Sequence, residues 1–204
     1  MTLAAFATAW FIHLLAAASP GPSILMAART GVTHGFRSGV WLSVGLAIGA
    51  LFWAVAALFG LAVLFQIVPT LLWVFKIFGA VFLCWIAIKM WRQATTPLVF
   101  DQTGNTPGTP LSAFRLGVMT QLSNPKPAVF FGAVFVSTIP AGTGLGWIGL
   151  ILLAVFLNEV TCASVVARAF SFPGPRRAYQ RFKTTIDRSF GGILALLGLK
   201  IATT

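Results

Sequence analysis

Two short stretches concentrate the residues of this chain that could do chemistry. Ser19-Pro20-Gly21-Pro22-Ser23 interrupts one apolar run, and Asn124-Pro125-Lys126-Pro127 interrupts another. A proline cannot donate to the carbonyl four residues earlier, and it pushes the residue before it out of the helical region. Pro20 and Pro22 therefore free the carbonyls of Ala16 and Ala18, while Pro125 and Pro127 free those of Gln121 and Ser123. Freed carbonyls attract an ammonium and half-helix N-termini attract a carboxylate, so paired breaks can hold a small zwitterion. One proline in a membrane helix commonly only bends it. Two breaks in corresponding segments shift the reading toward function.

Ionisable residues inside apolar runs are costly and face a cavity or a partner. Lys126 and Glu159 are the two that sit near the middle of their runs. They read either as a structural ion pair or as substrate and proton groups, and a pair that exchanges partners satisfies both. His13, a turn and a half before the first break, is either a proton relay or a histidine hydrogen-bonded to a neighbouring helix. With two His and three acids spread over separate segments, there is no paired nucleophile and base and no metal set. No enzyme activity, cofactor or metal is expected. Cys84 and Cys162 lie inside apolar runs and read as small core residues rather than a disulfide.

The elements that carry these groups follow from composition. The chain is 58% hydrophobic and 8% charged, against about 25% charged in a soluble globule, so it belongs in a bilayer. Basic residues interspersed between apolar runs, rather than clustered on a soluble face, exclude nucleic acid as a partner despite the net charge of +11. A helix needs about 20 apolar residues to cross the hydrocarbon core. The runs Leu3 to Ala28, Gly39 to Val68, Leu71 to Trp91, Phe114 to Ile139, Trp147 to Ala169 and Ile186 to Ile201 give an all-α integral membrane protein of six spans. The last run is the weakest, which leaves a five-span variant open. The first run lacks a basic flank before it and resumes at Ile24, so it reads as a retained span rather than a signal peptide.

The Pro-, Thr- and Gly-rich stretch from Gln93 to Ser112 is the one long linker. It divides the chain into halves, 1–92 and 113–204, joined by 93–112. Each half has an odd number of spans, so the halves are expected to be inverted repeats, with the breaks in corresponding first helices. Eleven of the fourteen Lys and Arg flank the first, third and fifth loops, while the loops around Pro69-Thr70 and Pro140 to Gly146 have none. Basic residues are retained in the cytoplasm, so both termini should face outward. Gly45-Leu-Ala-Ile-Gly49 suits close helix packing, within the subunit in preference to dimerisation, though a homo-oligomer stays open.

The chain resembles the LysE/RhtB family of bacterial amino-acid exporters over essentially its whole length. The features that carry the resemblance are SPGP in the first span, GLAIGALFWAVAALFGLA in the second and FGAVFLCWIAIKMWR in the third. LSNPKPAVFFGAVF in the fourth and RRAYQRFKTTIDRSFGGILALLGLKI at the end complete them. The LCW of Leu83 to Trp85 and the RRAYQR of Arg176 to Arg181 look most like the threonine-exporter branch. The resemblance implies efflux across the inner membrane driven by the proton-motive force, with protons as coupling ion. Many relatives carry an acid where this chain has Ser23 and Ala50, whereas Glu159 matches the acid of the family's fifth span. One deep base and one deep acid suit a zwitterion better than a dication. Ser19, Ser23, Ser123, Asn124 and Thr161 can bond a small polar side chain, so threonine, homoserine or a similar small neutral amino acid is the expected substrate. Another amino-acid class (aliphatic, thiol or basic), a passive small-solute channel and a membrane scaffold are the alternatives.

Overall fold

The computed structural model describes residues 1–61, 67–97, 109–135, 138–140 and 142–203, and among them there are helices and no strand. Helix α1, Leu3–Ala18, starts at Thr2, whose side chain accepts a hydrogen bond from the Ala5 amide. It stops where Pro20 holds Ser19 extended (φ −67°, ψ 136°). Gly21 is extended too, with φ 177°, and α2, Pro22–Val55, begins at once with proline in its first turn.

Helix α2 turns a corner at Gly35, whose φ of 73° is a left-handed value that glycine adopts without steric cost. The expected first loop between Arg29 and Arg37 is therefore a one-residue corner. Arginine marks a membrane boundary without ending a helix, since it is itself a good helix former. After a π-helical turn, Ala56–Leu61 (π1), the chain resumes at α3, Pro69–Gln93. Helix α3 contains the third expected run, Leu71 to Trp91, and extends two residues beyond it at each end. Helix α4, Pro110–Leu122, starts with a capping box between Thr109 and Ser112. Of the expected linker, residues 98–108 lie outside the described residues. The second break separates α4 from α5, Pro125–Val129, which runs into a second π-helical segment, Phe130–Phe135 (π2). Helix α6 is Leu145–Phe170 and α7 is Pro173–Thr203.

Helix α7 contains the expected sixth run and extends well before it. It has 31 residues rather than the stretch from Ile186 to Ile201, and it absorbs the basic segment assigned to a loop. Its buried residues Lys183, Asp187, Gly191, Leu194, Gly198 and Ile201 recur every three or four positions, so one stripe faces inward. That stripe packs on α3.

The largest contacts join α2 to α6 and to α4, α3 to α7, and α1 to α6. Gly45 and Gly117 let α2 and α4 touch through their backbones. A β-carbon on Gly45 would collide with the Phe114 carbonyl oxygen, and one on Gly117 with that of Leu42. The small-residue pattern in α2 is thus used inside the chain. On the outside, Val74, Ile77, Val81 and Ile88 of α3 are exposed at helical spacing, as a lipid-facing stripe would be. By length and composition, Pro22–Gly60 and Leu145–Phe170 are long and apolar enough to cross a membrane, each with mean hydropathy 2.2.

Candidate functional site

The two breaks meet. The Lys126 ammonium donates to the Ser19 carbonyl at 2.9 Å and to the Ser19 hydroxyl, and so joins α5 to the extended segment between α1 and α2. Ser19 is extended because Pro20 follows it, which turns its carbonyl out of the helix. Asn124 caps α5 by accepting from the Lys126 amide at 3.1 Å, while its Nδ2 donates across the gap to the Ser23 hydroxyl at 3.0 Å. Ser23 in turn donates to Gln121 Oε1. One directed chain of hydrogen bonds thus runs from Asn124 through Ser23 to Gln121.

The freed carbonyls have specific partners, as buried backbone oxygens require. The Ser19 hydroxyl donates to the Ala16 carbonyl at 2.8 Å, and the Trp53 indole donates to that of Gln121 at 3.3 Å. Amide donors are unequal at the two half-helix starts. In α2 the amides of Ser23 and Ile24 precede the first intrahelical bond, Leu25 to Gly21, and no side chain caps them. In α5 the first and third residues are proline and the Lys126 amide is already capped. The expected pair of carboxylate-attracting helix starts is therefore a single one, at α2.

Glu159 is buried on α6 at 7% exposure. Within ion-pair distance it has His13, with Nε2 at 3.7 Å from Oε1. Asn158 Nδ2 donates to the Trp10 carbonyl at 3.3 Å and meets His13 Nδ1 at 3.2 Å. An amide that donates to His13 Nδ1 makes that nitrogen an acceptor, so the neutral ring carries its proton on Nε2, toward Glu159. The expected direct ion pair between Lys126 and Glu159 is not formed: among the described residues no carboxylate lies within ion-pair distance of Lys126. The Ser19 carbonyl, turned outward by Pro20, takes that ammonium instead.

Lys126 and Glu159 nevertheless line one small cavity, with His13, Ser23, Gln121 and Asn124, under the rings of Phe130 and Phe131. Its volume is about 20 Å³, room for about one water. Asn124 and Lys126 also line a second, larger cavity of about 580 Å³, together with Pro20, Gly21, Pro22 and Pro125. Pro127 lines the small one. Of the residues singled out in the sequence, Pro20 to Ser23, Asn124 to Pro127 and Glu159 line one or other of these two cavities, Ser19 is bonded to Lys126, which lines both, and Ser123 and Thr161 line neither. Among the described residues no three of His, Cys, Asp and Glu come together as a metal site.

Gln121, Asn158 and Trp53 were not singled out. Their signal in the sequence is weak but physical: a buried amide in an apolar helix needs partners, and Gln121 stands three residues before the break.

Compared with known proteins, residues 14–204 match the family described as "LysE type translocator". The chain is 30% identical to the "Threonine efflux protein" of Salmonella typhi over 200 residues, covering 96% of each chain. It is 29% identical over 202 residues to the "Threonine efflux protein" of Escherichia coli, again over 96% of each. It is also 29% identical over 143 residues to the "Leucine efflux protein" of Klebsiella pneumoniae, covering 70% of this chain and 66% of that one. No solved structure matches.

Proposed function

Because the chain belongs to the LysE translocator family, whose members are transporters and not enzymes, we propose that it exports small neutral amino acids, threonine- or homoserine-like, across the bacterial inner membrane by exchange for protons. The observation that carries this reading is the meeting of the two breaks through Lys126, in one polar chain that ends beside Glu159. Lys126 and the α2 start are the groups for the substrate carboxylate. Freed carbonyl and hydroxyl oxygens, with Glu159, are the groups for its ammonium. Glu159 and the His13 N–H are the proton site: a carboxylate at bilayer depth is costly when ionised, so taking a proton and taking a cation are alternative ways to neutralise it.

The proposal includes six spans in two inverted halves, 1–92 and 113–204, around a cytoplasmic linker at 93–112, with both termini periplasmic. Mutual packing of α3 and α7, the last helices of each half, supports that arrangement. The larger cavity lies at the linker end of α3, beside Lys89, Gln93 and Lys183; with the linker in the cytoplasm, as proposed, that wide side would face the cytoplasm, and the narrow side lies at Glu159. A second reading, an aliphatic substrate such as leucine, is favoured by the apolar wall that Phe82, Trp85, Ile86 and Met90 give the larger cavity.

Proteoliposomes loaded in turn with labelled threonine, homoserine, leucine and lysine, with a proton gradient imposed, test both. Saturable efflux of threonine or homoserine that an uncoupler stops is the expected result. Efflux of leucine alone selects the second reading, non-saturable flux makes the protein a channel, and no flux at all ends the transport reading.

A further inference from the structure

Gln121, the second-last residue of α4, stands between the contact of the two breaks and the deep acid. It is 1% exposed. Its backbone carbonyl takes the Trp53 indole at 3.3 Å, and its β-carbon lies against Gly49 of α2, where an added β-carbon would stand 2.7 Å from it. Its side-chain amide is committed at both ends. Oε1 accepts from the Ser23 hydroxyl, which itself accepts from Asn124 Nδ2 at 3.0 Å. The Nε2 hydrogens are left for Glu159, with which Gln121 shares a side-chain hydrogen bond. An ionised carboxylate only accepts and an amide nitrogen only donates, so the two fit each other in that protonation state. Among the described residues, the titratable groups around the carboxylate are His13 of α1, Lys126 of α5 and Cys162 of its own helix. His13 meets Asn158 and Lys126 is held by Ser19, which leaves Gln121 as the hydrogen-bonded link from the acid to the bridge between Ser23 and Asn124.

We propose that Gln121 is a positioning residue that transmits the proton on Glu159 to the two breaks: its amide turns over when the carboxyl is protonated, and the bridge between α2 and α5 loosens. The inference rests on the exporter reading above, in which Glu159 is part of the proton site. A protonated carboxyl has a hydrogen to donate. Turning the amide over presents Oε1 to that hydrogen and brings Nε2 to Ser23. The Ser23 oxygen then receives two donors, from Gln121 and Asn124, and its own hydrogen loses its acceptor. A hydroxyl without an acceptor inside the bundle is costly, so the chain from Asn124 through Ser23 is complete only while Glu159 is ionised. Ser23 lies in the first turn of α2 and Asn124 caps α5, so the cost falls on the contact between the two half-helix starts. A ligand shifts a conformational equilibrium only through contacts that differ between the two states. The direction of this hydrogen-bond chain is such a difference, and the ligand is the proton.

Proteoliposomes loaded with whichever of threonine, homoserine and leucine the wild type exports give two rates, gradient-driven efflux and gradient-independent exchange, and their ratio measures coupling. Gln121→Met keeps the bulk and removes both side-chain hydrogen bonds. Its ratio should fall by about tenfold, the scale of one buried hydrogen bond, and Gln121→Asn, which keeps an amide one methylene short, should recover part of it. Ser23→Ala cuts the chain one step further on and should lower the ratio similarly. Its exchange falls as well, because Ser23 stands at the α2 start, so the ratio is what is read. Members of one chain are not additive, so the double variant should be no lower than either single. Infrared difference spectra between high and low pH add a signature. The protonated carboxyl band, identified by its loss in Glu159→Gln, should move to higher frequency in Gln121→Met because its acceptor is gone. A packing role predicts efflux and exchange reduced in proportion with the band unmoved, and that result overturns the proposal. If Gln121→Met does not fold, an unchanged ratio in Ser23→Ala overturns it alone. Wild type that moves no amino acid ends the exporter reading, and Glu159→Gln that keeps its gradient response ends the proton site; the inference falls with either. Wild type that couples efflux to the gradient, with both variants keeping its ratio, removes the role of Gln121 alone.

Discussion

Lys126 carries its charge to a carbonyl and a hydroxyl rather than to a carboxylate, and this changes what each deep charge is expected to do when removed. Glu159→Gln removes no partner of Lys126, since the ammonium is held by Ser19. The variant should therefore fold with near wild-type thermal stability and keep amino-acid exchange, while gradient-driven efflux falls at least about tenfold, or about 1.4 kcal/mol. Lys126→Met should behave differently, because it leaves the buried Ser19 carbonyl without its donor, a loss of about 1–3 kcal/mol, and removes the cation for the substrate carboxylate. Both stability and amino-acid binding should drop. Thermal unfolding together with exchange and gradient-driven flux separates the two variants. Glu159→Gln that unfolds readily, or that keeps its gradient response, would remove Glu159 from coupling. At this scale the deep charges were legible because a charge in an apolar run is visible wherever it stands. Their partners were not, since a hydrogen bond between Ser19 and Lys126 joins residues that only the fold brings together, and the outward turn of one carbonyl decided which partner won.

The breaks are properties of elements, and they were the most legible part of the chain, because proline acts on its own neighbours. Pro20 sets Ser19 extended whatever the tertiary context, and Pro125 with Asn124 restarts a helix by capping chemistry alone. The Gly35 corner and the length of α7 were less legible. Basic residues set where a chain leaves the membrane and say little about where a helix ends, so a loop inferred from Arg29 and Arg37 became a corner, and one inferred from Arg176 to Lys183 became helix. Replacing Pro20 and Pro22 by alanine restores amide donors at those positions and lets α1 and α2 join as one helix. The Ser19 carbonyl would then return to the helix and Lys126 would lose its acceptor. The double variant sets the restored helix bonds against the lost Lys126 contact, so its thermal stability should stay near that of wild type while efflux falls by at least about tenfold. Full efflux in a well-expressed double variant would make the break a bend without a role in transport.

At the scale of the whole molecule, direction in the membrane is carried by charge rather than by packing. The contacts of α2 with α6, and of α3 with α7, are the same whichever way the bundle is inserted, so only the basic residues distinguish the sides. Those at the Gly35 corner, at the facing ends of α3 and α4, and at the junction of α6 and α7 lie at one end of their helices in sequence order. Arg29 and Arg37, Lys89 and Arg92, and Arg168 and Arg176 are each within a few residues of a connection of odd rank. The proposed topology follows from their retention in the cytoplasm: that end would lie inside, and six crossings would leave both termini outside. A reporter active only in the cytoplasm, fused after Thr204, should stay silent, while the same reporter inserted in the 93–112 linker should be active. The second fusion matters because it separates two ways of being wrong. Activity at both sites means that α7 does not cross and the chain has five spans; activity after Thr204 with silence in the linker means that the division of basic residues does not govern this bundle.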